Sequence, residues 1–315
     1  MKAIVHALCG MAAAAFCSTA MAQPSKPLQW IVPFPPGGPA DVIARLVLPK
    51  LSERLGQPVI IQNRAGGNSN IGHDAAARSA PDGHTILYVV PNVVTNPSLF
   101  KGMVNPLKEL APVAQLTVQS YALVAYPGFE PKTVADVIAA AKAKPGSVTC
   151  ASGGGLMTFG CEWLRTMTKT DIVHVQYKGN APALTDLIGG QVNLLFDLFN
   201  TSLPQIRAGK ARAVALTRPT RGVPLPDLPV IAETLPGFVL VGWHGVMAPV
   251  GVPRPIIERL NRSFGEALAD KDVTKRITDG YSEVAPISAE AFGEIIQQDY
   301  VKYARIIQDA GIKPE

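Results

Sequence analysis

Hydrophobic positions along this chain fall into two alternating rhythms. Short unbroken apolar runs are followed by longer stretches in which apolar residues recur three and four positions apart. Leu28 to Pro33 predicts a strand, and after the turn Pro35-Pro36-Gly37-Gly38 the spacing of Ile43, Leu46, Val47, Leu51 and Leu55 predicts a helix that Gly56 stops. Val59 to Ile61 predicts a short buried strand. Next come a loop from Asn63 to Asn70, a helix through Ala75 to Arg78, the turn Pro81-Asp82-Gly83 and a strand over Thr85 to Val90. The same unit then recurs: strands at Ala122–Tyr126, Val148–Ala151, Ile172–Val175, Leu194–Phe196 and Ala213–Leu216, with helices over Val134–Ala143, about Met157–Met167 and Ala181–Ile188. After a strand at Val246–Ala248 the pattern is purely helical, over Pro255–Ala269, Asp272–Asp279 and Ala289–Asp309.

Repeated strand–helix–strand units argue for an α/β protein with mainly parallel sheets flanked by helices. The closing helices are expected to pack back on the first unit. Residues 23–122 plus 247–315 then form lobe 1 and residues 123–246 form lobe 2, inserted through two crossings near Ala122–Tyr126 and Val246–Pro249. Two crossings make a hinge, and a ligand belongs between the lobes at the strand ends.

Residues 1–22 read as a cleaved secretory signal. Lys2 is the positive start, Ile4 to Phe16 an apolar run broken only by His6 and Gly10, and Ala20-Met21-Ala22 the small-residue cleavage site. The run is too short to remain as a membrane span. The rest of the chain is soluble in composition, with 47% hydrophobic and 17% charged residues overall and no second long apolar stretch. The net charge of +5 comes from scattered Lys and Arg, so nucleic acid is a poor partner and an anionic ligand a compatible one. Cys9 and Cys17 leave with the signal. Cys150 and Cys161 remain, either as a bridge in an oxidising compartment or as buried free thiols.

Two glycine turns stand at matching places, each after a strand and before a helix: Phe34-Pro35-Pro36-Gly37-Gly38 and Ser152-Gly153-Gly154-Gly155. Glycine lets a backbone approach a ligand closely, and helix N-termini favour an anion. The plainer alternative is that both are tight connections. Asp41, in the first helical turn, serves either as a cap or on the ligand side, and Asp197 ends a strand at a cleft-facing place. Phosphate-loop, dinucleotide and GxSxG patterns are absent. The five histidines form no metal pair, and His174, between valines, reads as a core residue. No set of nucleophile, base and orienting group is evident, so the expectation is a protein without cofactor, metal or catalysis.

Several motifs, in order, resemble the receptors of tripartite tricarboxylate transporters, the Bug-type family. They include Val32 to Asp41, Leu55 to Val59, Asn63 to Gly72, Ala80 to Gly83 and Asn96 to Leu99. Further on come His174 to Gly179, Ala181 to Asp186, Gly189 to Val192, Phe196-Asp197, Pro249 to Leu260 and Asp309 to Ile312. The resemblance implies a type II periplasmic binding fold closing on a small organic acid, a periplasmic location and a membrane permease as partner. It also implies that the loops Phe34–Asp41, with Ala40, and Ser152–Thr158 grip the carboxylate through backbone groups and waters. A ligand sensor is the alternative use, and a monomer is expected. Asn92 and Val93 stand where members often carry Thr-His, and Leu156, Met157 and Thr158 follow a Gly-rich loop that is usually more polar. The expected ligand therefore has one held carboxylate and an apolar or aromatic body.

Overall fold

A computed structural model describes residues 26–221, 226–280 and 282–314. The expected signal, residues 1–22, lies outside them. Lobe 1 opens with β1 (Leu28–Val32), α1 (Pro39–Leu55), β2 (Val59–Asn63), α2 (Asn70–Ala77) and β3 (Thr85–Val89), followed by the short helices α3 (Asn92–Leu99) and α4 (Pro106–Glu109). Pro39 at the first position of α1 and left-handed Gly56 after its last bound that helix from both sides.

The chain then enters β4 (Leu110–Ala125), whose sixteen residues belong to both halves of the molecule. Leu110 to Ser120 pair with β9 (Val241–Pro249). Tyr121 to Ala125 pair with β7 (Leu194–Leu198), and Ala122 to Ala125 also with β8 (Arg212–Leu216). Between these lie α5 (Val134–Ala143), β5 (Thr149–Ser152), α6 (Leu156–Thr168), β6 (Val173–Gln176), α7 (Asn180–Ile188) and α8 (Phe199–Arg207). After β9 come α9 (Arg254–Leu268), α10 (Lys271–Asp279), the two-residue β10 (Glu283–Val284) and α11 (Ala289–Asp309).

All the strands join one sheet in the order β2-β1-β3-β9-β4-β7-β5-β6, with β8 and β10 also on β4. Each half keeps a parallel trio, β2-β1-β3 and β7-β5-β6. Antiparallel pairing is concentrated where the chain passes between halves, because an outgoing and a returning strand run in opposite directions. The outgoing crossing falls at Ser120–Tyr121, inside β4 and beside the expected Ala122–Tyr126. The return is displaced: β9 is already in the lobe 1 sheet at Val241, so it lies before Val241 and not near Val246–Pro249. Thr217 staples the two crossings: its N–H and Oγ donate to Tyr121 O at 3.0 and 3.1 Å, and its carbonyl accepts from Leu240 N at 2.9 Å.

Helices cover both faces of both halves and give four apolar cores. Trp30, Tyr88 and Phe264 centre one under α1, α9 and α10. Trp243, Phe292 and Tyr303 centre the second, under α11, and it reaches across to take in Leu156 and Phe159 of α6. In lobe 2, Phe196 and Phe238 fill one face, and Leu187, Leu195 and Leu203 the other. No helix among the described residues is long and apolar enough to cross a membrane.

Candidate ligand-binding site

The first turn is built around a carboxylate. Asp41 is buried and receives hydrogen bonds from Gly37 N (2.9 Å), Arg45 Nε (2.8 Å) and Asn63 Nδ2 (2.9 Å). Burial works against its ionised form, but the bonds from Arg45, Gly37 and Asn63 outweigh it and hold the pKa at about 2. Asn63 Nδ2 also donates to Phe34 O at 3.1 Å, so the end of β2 pins the turn that follows β1. Gly38 N donates back to Pro35 O at 3.3 Å. The amides of Gly37 and Gly38 are thus engaged inside the turn, with Asp41 as its internal anchor.

The second turn rests on close backbone approach. A Cβ at Gly153 would collide with Asn180 Oδ1 and lie 2.7 Å from the Gly179 carbonyl carbon, so only glycine fits there. Asn180 in turn donates to Asp197 Oδ1 at 2.6 Å. Asp197 is fully buried and also accepts from Leu198 N (2.8 Å), Ser202 Oγ (2.6 Å) and Thr201 Oγ1. Burial raises its pKa against those hydrogen bonds. Its acceptor sites are filled by lobe 2, so it ties loops together behind the site instead of facing the cleft. Cys150 and Cys161 form a disulfide, Cα–Cα 5.9 Å, which fastens β5 to α6 across this turn.

Under α6 runs a chain of polar groups that the sequence did not disclose. Ser152 Oγ lies 2.8 Å from His174 Nε2, and His174 Nδ1 lies 2.8 Å from Glu162 Oε1. Arg165 donates to the other Glu162 oxygen at 2.6 and 3.0 Å. The His174 hydrogen bond favours the ionised form of Glu162, burial opposes it, Arg165 assists, and the carboxyl is held below its usual range. Ser152 Oγ also approaches Gln176 Oε1 at 3.2 Å and Thr158 Oγ1 at 3.3 Å, and Thr158 donates to Gln176 Oε1 at 2.9 Å. Two residues apart on β6, His174 and Gln176 share a face.

The two turns border one cavity of about 590 Å³ between the lobes. Phe34 and Pro35 line it from the first turn, Gly155 and Thr158 from the second, and Asn92 from α3. Pro36, Gly37, Gly38, Ala40, Asp41, Ser152, Gly153 and Gly154 do not border it: Pro36 and Gly37 are exposed, while Ala40, Asp41 and Ser152 are buried. Val93 and Leu156 are buried in the core under α11, and Met157 packs between that core and one of lobe 2. The apolar wall is supplied instead by Phe34, Leu99, Phe100, Phe159 and Ile312.

The loop before α2 contributes Ala65, Gly66, Asn68 and Ser69. Asn68 and Ser69 hold left-handed φ angles of 52° and 77°, a strained pair for non-glycine residues. Asn92 Nδ2 clamps them by donating to Asn68 O (3.1 Å) and Ser69 Oγ (2.9 Å), and Asn96 Nδ2 donates to the same Asn68 O at 2.8 Å. Gly72 brings this loop against β1, since a Cβ there would meet Pro33 Cβ at 2.6 Å. Asn92 Oδ1 is buried with no partner among the described residues, which leaves an acceptor at the wall. A larger groove, about 1000 Å³, lies between the far end of α6 and α11, and none of the expected site residues borders it. Among the described residues no group of three His, Cys, Asp or Glu could hold a metal ion.

Residues 43–312 match the tripartite tricarboxylate transporter family receptor. The chain belongs to that family. BugT of Bordetella pertussis is 36% identical over 300 residues, 92% of this chain and 91% of BugT. An R. palustris protein solved with adipate is 30% identical, with a TM-score of 0.73 over 93% of this chain and 99% of its own. MatC of Rhodopseudomonas palustris, solved with bound malate, is 30% identical, with a TM-score of 0.69 over 90% and 100%. As a tripartite tricarboxylate transporter receptor, the chain has the periplasmic binding protein fold expected from its turns, and its family is one of solute-binding receptors.

Proposed function

We propose that this protein is exported to the periplasm, with its signal cleaved after Ala22. There, as a monomer, it captures a small organic carboxylate between its lobes and hands it to the permease of a tripartite transporter. The supporting observation is the shared cavity, which combines the N-terminal turn of α6 with an apolar wall. The relatives solved with adipate and malate support an organic acid as the ligand class. Phe34, Pro35, Asn92, Gly155 and Thr158 meet the ligand, and Gly37, Asp41, Gly153 and Asp197 hold the turns that present them. The apolar wall favours an acid with an aliphatic or aromatic body over citrate. In titration calorimetry, adipate or benzoate binds about tenfold or more tightly than citrate, the equivalent of about 1.4 kcal/mol. Tight citrate binding with no response to the other two overturns this preference.

A second reading comes from the Ser152–His174–Glu162 line, whose order is that of an ester hydrolase's nucleophile, base and orienter. Against it, Ser152 is fully buried and its Oγ is flanked by Thr158 and Gln176, which close the approach of a carbonyl carbon. Steady hydrolysis of p-nitrophenyl acetate, abolished by Ser152→Ala, is the result that favours the hydrolase.

A further inference from the structure

On the lobe 1 side, the cavity wall carries amides whose N–H groups are already spent. Asn92 and Asn96 stand one helical turn apart on α3, and both border the cavity. Asn92 Nδ2 donates to Asn68 O at 3.1 Å and to Ser69 Oγ at 2.9 Å, and Asn96 Nδ2 donates to Asn68 O at 2.8 Å and to Asn70 Oδ1 at 2.9 Å. A side-chain amide has two protons to give, so both are used up. The same bonds fix which way each amide faces, since turning either one over would set its Oδ1 against the Asn68 carbonyl. What each amide has left is its own carbonyl oxygen. Asn92 Oδ1 is shielded from water. Of the buried side-chain atoms without a partner among the described residues, it is the one that belongs to a residue of the cavity wall.

A carbonyl oxygen shielded from water makes its side of a cavity electronegative, and the low local polarity extends the reach of that effect. No Lys, Arg or His among the described residues borders the cavity to offset it. The hydroxyls of Ser69 and Thr95 line the same side and accept as readily as they donate, and the Asn68 side chain is exposed. On the lobe 2 side, the N-terminal turn of α6, with Gly155 and Thr158, favours an anion. Phe34, Leu99, Phe100, Phe159 and Ile312 supply the apolar remainder. We infer that the ligand is a monocarboxylate with a neutral hydroxyl at its far end, and that Asn92 selects for that hydroxyl by accepting its hydrogen bond. The inference rests on the carboxylate-receptor reading and names the class of acid within it. A second carboxylate at that end would meet the electronegative side with no proton to give, whereas a hydroxyl supplies the donor that the buried oxygen lacks.

The test is titration calorimetry of the whole mature protein with matched acids, at about pH 7, where the carboxyls are ionised and the hydroxyls neutral. One set is benzoate against its ortho, meta and para hydroxy derivatives; the other is hexanoate against its omega-hydroxy derivative and adipate. In each set the best hydroxy acid is expected to bind on the order of tenfold more tightly than its parent, and the omega-hydroxy acid more tightly than adipate. Asn92→Ala brings the ratio of hydroxy acid to parent to about one. Asn92→Asp keeps an acceptor but loses the Nδ2 bonds to the loop, so it retains the preference, whereas a residue that only clamps the loop would make Asp behave like Ala. The comparison within the wild type stands even where a variant folds poorly. Equal binding of hydroxy acids and parents, adipate binding more tightly than the omega-hydroxy acid, or a preference that survives in Asn92→Ala overturns the hydroxyl selection and leaves the receptor reading intact. Absence of binding by every acid overturns the carboxylate reading and the selection with it.

Discussion

The two turns facing each other across the cavity are built from the same local grammar and held by opposite means. In lobe 1 a single ionised carboxylate, Asp41, organises the turn from inside, with Arg45, Gly37 and Asn63 as donors. In lobe 2 the turn is set by steric fit at Gly153, by a disulfide, and by a neighbouring chain of hydroxyl, imidazole and carboxylate groups. The contrast is between a support held by one charge and a support held by fit and a covalent bridge.

The comparison breaks most severely at Gly153. Gly153→Ala puts a methyl against Asn180 Oδ1, whose amide is tied to Asp197, and against the backbone at Asn180 N and the Gly179 carbonyl carbon, which cannot swing aside. A loss of stability of about 3 kcal/mol is expected in chemical denaturation, together with loss of carboxylate binding. Gly37→Ala, with open space at its Cβ but a φ of +80°, is expected to lose only about 1 kcal/mol. Next comes the disulfide. Reduction, or a Cys150→Ala/Cys161→Ala double variant, is expected to lower stability by about 2–3 kcal/mol, because the bridge closes a short loop in the unfolded chain. The smallest effect sharpens the lobe 1 side. Asp41→Asn is expected to lose about 1 kcal/mol at neutral pH. Asp41 has a folded pKa of about 2 against an ordinary 3.8, so its contribution is complete above about 3.8 and disappears as pH falls to about 2. The denaturation midpoints of the wild type and the Asp41→Asn variant therefore converge in acid; a constant gap down to about pH 2 contradicts the ionised anchor.

The alternation of strands and helices was legible because glycine and proline punctuate it: Gly37-Gly38 before α1, Gly56 after it, and Ser152 to Gly155 before α6. The crossings were harder to see. Leu110 to Ala125 has no turn residue to show that one strand serves two halves, and Pro112 near its start disguises the first of its pairings. At the site, Asp41 could be read as a cap because its partners lie close to the same turn. Asp197 looked cleft-facing because a strand end usually is; the donors that enclose it, Asn180, Thr201 and Ser202, come from two different helices. His174 between two valines carries the pattern of a packed residue, and its partner Glu162 is separated from it by the rest of α6 and a loop. The strained pair Asn68 and Ser69 had a faint signal in the run Gly66 to Asn70, but what holds it is tertiary, the amides of Asn92 and Asn96.

A strand shared by both halves also dictates the kind of travel open to them. Sliding one half past the other is opposed because β4 runs unbroken from its ladder with β9 in one half into its ladder with β7 in the other, which keeps those two ladders end to end. Twisting asks only for small torsional changes in the peptide units near Ser120–Tyr121 and in the adjoining return at Thr217 and Leu240. The jaws are thus geared to swing about a pivot and not to glide. The tilt of α6, which carries Gly155 at one end and Lys169 just past the other, would then narrow one opening as it widens the opposite one.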